Sequence, residues 1–213
     1  MKKVILLLMV SVLAGCATHA EIKMPVVVKI HDTAYENKTL NYEILYSQPK
    51  PGIFTGGEQL PLAPLEEAEL SVASASTLKE LPKLIFEQLP ISVKHLTDNP
   101  DLTLKIELTA YNKRGPAYPD YEFAKSLTKD LLTLGFSSAE YDIIADFDAK
   151  YILQQKDEVI FSKNFKVRDQ VDHERGDFES YNTLNDFTSQ MLEKHLILTL
   201  HEFFKDAAVH VKG

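Results

Sequence analysis

The sequence predicts a fold of the α/β class, in its mixed α+β form. We expect one domain with a mixed sheet of four or five strands and about three packed helices, in the order ββαβαββα. Three observations carry this expectation. Apolar and polar residues alternate over 24–32, 39–47, 102–110 and 139–169, the period of half-buried strands. Apolar residues spaced three and four apart mark helices over 77–89, 121–135 and from 183 onward. Each such helix has a single apolar stripe, and a stripe of that kind needs a sheet to cover. With 213 residues, 45% of them hydrophobic, the chain can bury one substantial core.

The elements follow in order. MPVVVKIHD (24–32) places Val26, Val28 and Ile30 on one face and Val27 and Lys29 on the other, as a strand does. ENK (36–38) is turn material. TLNYEILYS (39–47) sets Tyr42, Ile44 and Tyr46 on one face of a second strand. The insert 48–76 breaks the rhythm: Pro49, Pro51, Gly52, Gly56, Gly57, Pro61 and Pro64 forbid a long regular element. It still carries Ile53, Phe54, Leu60, Leu62 and Leu65, so it does not read as a solvated linker. Long loops in compact domains are often functional or disordered.

TLKELPKLIFEQL (77–89) reads as a helix through Leu78, Leu81, Ile85 and Leu89. Thr77 and Glu80 could form a capping box, or Pro82 could mark the true first turn. In 102–110, Leu102, Leu104, Ile106 and Leu108 point inward. Pro119-Asp120 is read as opening a helix lined by Phe123, Leu127, Leu131 and Leu134 and stopped at Gly135. Residues 139–169 read as a hairpin turning at QKDE, with Tyr141 through Leu153 in alternation and Val159, Phe161, Phe165 and Val167 on the same face. The segment 169–180 is read as a charged loop. The last helix starts near Thr183, with Leu184, Phe187, Met191, Leu198 and Phe203 as its buried stripe, widened by Leu192, Leu196 and Leu200.

The amino end carries an address. Lys2 and Lys3 precede an apolar run of about ten residues, the length of a secretory signal and too short to span a bilayer. Leu13-Ala14-Gly15-Cys16 follows, and it resembles the lipobox of bacterial lipoproteins. Membership implies removal of residues 1–15 as a signal peptide, then diacylglycerol on the Cys16 sulfur and an acyl chain, such as palmitate, on its new amino group. Three chains anchor firmly without a spanning helix, because each buried methylene contributes about 0.8 kcal/mol. Cys16 is the only cysteine, so lipidation would leave no thiol or disulfide chemistry. Ala17 stands where an Asp would retain such a protein in the inner membrane, so the resemblance implies the periplasmic face of the outer membrane. Residues 16–24 then form a short tether, and 25–208 the domain.

Losing Lys2 and Lys3 from 23 basic side chains leaves 21 against 31 acidic ones, a net charge of −10. Such a surface disfavours nucleic acid. The element order and the ending YDIIADFDAKYILQQKDEVIFSKNFKV, followed by NDFTSQMLEKHLILTLHEFF, are similar to the α/β domain of periplasmic auxiliary lipoproteins. That group includes ABC-type transport auxiliary lipoproteins, penicillin-binding-protein activators and the curli-secretion lipoprotein. The insert departs from that pattern, and the short tether argues against the wall-crossing activators. Likeness of fold assigns no functional residue.

No catalytic set is expected. The sequence lacks a G-x-S-x-G turn, and Gly56-Gly57 lacks the Lys-Ser/Thr of a phosphate loop. Asp146 and Asp148 share the polar face of a strand, an ordinary place for carboxylates. Asp172-His173-Glu174, with Asp169 and Asp177 nearby, is the most suggestive metal-type cluster, yet it reads as a solvated loop partly neutralised by Arg168 and Arg175. His195 and His201, six apart on a helix, cannot share a ligand. Tyr42, Tyr46, Tyr111, Tyr118 and Tyr121 could serve an interface or pack in the core. The expected function is therefore non-enzymatic, without metal or cofactor beyond the acyl groups. It is membrane-anchored docking on an envelope assembly or transport machine, with Ile53, Phe54, Leu60 and Leu62 as the contact to a protein partner. A carrier of lipid or another apolar ligand is the second reading.

Overall fold

The computed structural model describes residues 20–51, 57–70, 75, 78–95, 99–122, 139–175 and 180–211. Strand β4 (Leu102–Ala110) runs through the middle of the sheet, and its even-numbered residues Leu102 to Ala110 are all buried. Strand β1 (Thr39–Ser47) lies parallel to it, with Leu40 opposite Leu102 and Ser47 opposite Thr109. Parallel neighbours need a crossover. Here the connection contains helix α1 (Leu81–Gln88). Strand β6 (Ala139–Gln155) pairs antiparallel with the other side of β4, and β7 (Glu158–Arg175) returns along β6.

Strand β5 (Ala117–Tyr121) continues β4 along the same edge of β6. Ala110 faces Phe147, residues 111–116 bulge away, and Ala117 rejoins opposite Ala145. Two short strands, β2 (Ala63–Pro64) and β3 (Lys94–His95), pair with opposite ends of the free edge of β1. Among the described residues the result is one mixed sheet of seven strands. Among the described residues two α-helices accompany it.

Helix α2 (Tyr181–Ala207) covers the face of β6 that carries Phe147, Tyr151 and Leu153. Ser180 starts it, its hydroxyl accepting from the Asn182 N–H at 3.2 Å. At 1.5 Å per residue it is about 40 Å long, enough to follow the long hairpin. Phe203 meets the rings of Tyr151 and Phe161, each at 5.3 Å. The buried Thr199 hydroxyl donates to the His195 carbonyl and shares a 2.8 Å hydrogen bond with Tyr151. Burial raises the Tyr151 phenol well above its ordinary value, so it stays protonated. Tyr35, fully buried in a single 3-10 turn (Thr33–Tyr35), donates to the Phe204 carbonyl at 2.8 Å, joining the start of the domain to its last helix. The opposite sheet face is polar, with Lys150 on Glu107 at 3.0 Å.

Several expectations are corrected here. The sheet has seven strands rather than four or five, and the element order differs from ββαβαββα. Residues 24–32 form no strand, since β propensity without a neighbouring edge makes no ladder. Pro119, Asp120 and Tyr121 belong to β5, not to a helix; the unpaired edge of β6 captured them, and an edge position tolerates the proline. Glu122 is not helical either, its N–H bonding the Glu140 carbonyl at 3.0 Å, and the remainder, 123–135, lies outside the described residues. Residues 169–175, read as a loop, extend β7. Val159 is 58% exposed because a register shift at Leu153/Gln154 turns the strand end over. Leu198, expected in the stripe, is 40% exposed, while Leu196 and Leu200 are buried. Helix α1 begins at Leu81 with Pro82 in its first turn, the second of the two starts the sequence allowed.

Candidate functional site

Two described pieces of the insert, residues 48–51 and 57–60, pair with each other as an arm beyond the end of β1. The chain continues past β1, and Lys50 N–H bonds the Glu58 carbonyl at 2.9 Å while Leu60 N–H bonds that of Gln48, also at 2.9 Å. Pro49 and Gln59 face each other across the arm. Gly57 is required by close approach: a Cβ there would lie 2.7 Å from the Lys50 Cβ. The Ser47 hydroxyl and the Gln59 amide pin the base of the arm, since Gln59 Nε2 donates to Ser47 Oγ at 2.7 Å and Ser47 Oγ donates to the Leu60 carbonyl. The insert thus gains a ladder that its proline content had concealed.

Beyond the arm, β2 pairs with Leu45 and Tyr46 and β3 with Thr39 and Leu40, on either side of residues 41–43 of the β1 edge. Asn41 Oδ1 accepts from the Tyr42 N–H at 2.9 Å, so a side chain occupies a site a neighbouring strand would use. Over this stretch lies an open groove of about 450 Å³. Tyr42, Ile44, Pro64, Leu65, Leu70 and Leu78 form its apolar lining, and Glu43, Glu66 and Lys79 its polar rim. Tyr42 is fixed by donating to the Pro82 carbonyl at 3.1 Å. A smaller groove of about 180 Å³ runs beside it, lined by Tyr46, Leu60, Pro61 and Ala63. Leu62, 41% exposed, lies in the chain between Pro61 and Ala63 of the smaller groove. A third, of about 250 Å³, separates α1 from α2 and is rimmed by Glu80, Glu87 and Glu193.

Of the expected contact residues, Leu60 is half-buried with its backbone bonded into the arm, and Leu62 is exposed. Ile53, Phe54 and the lipidation candidate Cys16 lie outside the described residues. The other groove residues were missed as a set. Tyr42 and Ile44 read as one strand face and Leu65 as part of the insert, but no sequence period joins segments folded from three parts of the chain.

Strand alternation separates the suggestive acidic cluster. His173 points into the core, 1% exposed, where its Nδ1 accepts from the Ala20 N–H at 3.1 Å and its ring meets Phe187 at 4.7 Å. Asp169 shares that face but binds Lys194 Nζ at 2.7 Å and His195 Nε2 at 2.9 Å. Burial opposes ionisation of Asp169; the donated bonds outweigh it and hold its carboxyl below the ordinary value. Burial pushes the His195 imidazole down despite that carboxylate, so it is neutral at pH 7. Asp172 and Glu174 alternate to the other face. Asp146 and Asp148 both pair with Arg168, at 2.7 and 3.3 Å, and its guanidinium lies 4.7 Å from the Tyr111 ring centre. Tyr46 and Tyr118 are buried, while Tyr111 and Tyr121 are partly exposed. Among the described residues, no group of three His, Cys, Asp or Glu is placed to hold a metal ion, and no helix is long and apolar enough to cross a membrane.

No family model and no curated protein matches this chain. Among solved structures it is similar to a Helicobacter pylori protein described as a homolog of neuraminyllactose-binding hemagglutinin. The two share 13% identity and a TM-score of 0.44 over 90% of this chain and 97% of that one. It is also similar to a Xanthomonas campestris protein of the family DUF330, with 11% identity and a TM-score of 0.39 over 87% and 94%. Similarity at this level assigns no function.

Proposed function

We propose that this chain is a non-enzymatic lipoprotein. Acyl chains on Cys16 hold it at the periplasmic face of the outer membrane, and it docks on an envelope assembly or transport machine through the β1–β2 edge. The observation that carries the docking role is the apolar groove of about 450 Å³ along β1, with the exposed Leu62 two residues before Pro64 of its lining. Apolar grooves with a polar rim serve as contact surfaces for partners. The test is Leu62→Asp in the intact chain. Leu62 is partly exposed, so the fold should persist, while a buried contact worth about 1.5–3 kcal/mol would be lost and co-isolation of the partner should fall at least about tenfold. Unchanged recovery of every co-isolated protein would contradict the docking role.

The same groove supports a second reading, carriage of a lipid or another apolar ligand, because its volume falls within the range of small-molecule sites. Native mass spectrometry of protein released from membranes separates the two. A retained lipid lost on Leu65→Asp would favour carriage, and ligand-free protein would exclude it.

A further inference from the structure

The segment that should have been the first strand is instead a bow. Ile22 and Ile30 pack against the core at its two ends, and the Ile30 carbonyl accepts from the Ile91 N–H at 3.0 Å. Between them Met24, Val26 and Val28 face solvent, Val26 fully and Val28 at 82%. Among the described residues, no hydrogen bond involves the backbone of residues 23–29. A row of apolar side chains held outward on an anchored extended segment is costly in water and calls for a partner.

Three observations select that partner. Ala20 is buried and tied to His173, so the body of the domain begins only four positions after Cys16. Fully extended, that stretch reaches about 14 Å. The bow begins four residues beyond Ala20, so it too lies close to the anchor. Lys23 and Lys29 flank the exposed side chains, both exposed themselves, on a protein whose remaining surface is strongly acidic. Lys23 has only a loose 3.8 Å contact with Glu21. Apolar tips bracketed by cations fit the headgroup boundary of an anionic bilayer. We propose that Met24, Val26 and Val28 insert into the surface of the membrane that carries the anchor, fixing the domain's orientation upon it. The proposal rests on acylation of Cys16.

The chain has no tryptophan, so one introduced at a fully exposed position is an unambiguous reporter. The full chain with Val26→Trp is reconstituted in vesicles of phosphatidylethanolamine and phosphatidylglycerol, and acylation of Cys16 is read by mass. Val209→Trp, at another exposed site, serves as control. Indole emission from position 26 should shift to the blue and be quenched at least about twofold by lipids brominated near the headgroup, as burial about 5–10 Å into the boundary requires. The control indole at position 209 should not respond. Aqueous, unquenched emission from position 26 in acylated protein overturns the proposal and leaves the anchoring intact. A blue shift that grows with protein concentration in detergent, without vesicles, assigns the bow to a second copy and also overturns it. A chain without acyl groups on Cys16 overturns both the proposal and the anchoring reading.

Discussion

The joint between Ala20 and His173 would decide how far the domain stands from the proposed acyl anchor on Cys16, and His173→Phe tests it. The substitution keeps a ring against Phe187 but removes the acceptor of the Ala20 N–H. A buried donor left unsatisfied costs about 1–3 kcal/mol. Global stability in urea should fall by that amount. The Ala20 amide should also lose protection by about 5- to 150-fold in native-state hydrogen exchange, the same free energy expressed as an opening constant. His173→Ala should cost about 2–4 kcal/mol more, because it leaves a cavity as well. Freeing Ala20 would move the first fixed point to Ile22, and the maximum reach from Cys16 would grow from about 14 to about 21 Å. Unchanged Ala20 exchange in His173→Phe would refute the reasoning, whatever the global stability.

Other predictions follow from single sites. Lys156 and Asp157 turn the β6–β7 hairpin with φ of 50° and 65°. Asn-Gly at these positions should stabilise the fold by about 1–2 kcal/mol, read as a rise of several degrees in Tm. The folded values of Asp169 and His195 both lie below the ordinary ones, so the folded state binds fewer protons than the unfolded state. Their contribution is complete above about pH 6.5 and is lost as pH falls through the folded values. His195→Gln, which keeps a donor for Asp169, should flatten the dependence of Tm on pH between about 7 and 5. Tyr151→Phe should cost about 1 kcal/mol in urea and no more, because Thr199 keeps its bond to the His195 carbonyl.

Where a period was long and its burial one-sided, the sequence was readable. Strand β4 shows its alternation in every residue, and the β6–β7 hairpin and α2 lie close to where alternation and stripe placed them. Failures arose where tertiary pairing overrode a local signal. Pro119-Asp120 carries helix-start residues, yet β6 offered an open edge and took them as a strand. The bow has the composition of a strand but no edge to join. Val159 follows its face until one bulge reverses it. The groove was only partly legible. Leu65 was visible as an apolar residue in a Pro-rich stretch, but Tyr42, Ile44 and Leu78 join it only through the crossover that makes β1 parallel to β4.

The most direct test of the docking account is photo-crosslinking in cells from reporter residues at 60, 62 and 65, with 209 as a control on exposed surface. The account predicts that position 62 captures one dominant envelope protein, that 60 and 65 capture it more weakly, and that 209 does not. Capture of lipid alone at the groove, or no capture there by folded and membrane-attached protein, would contradict it.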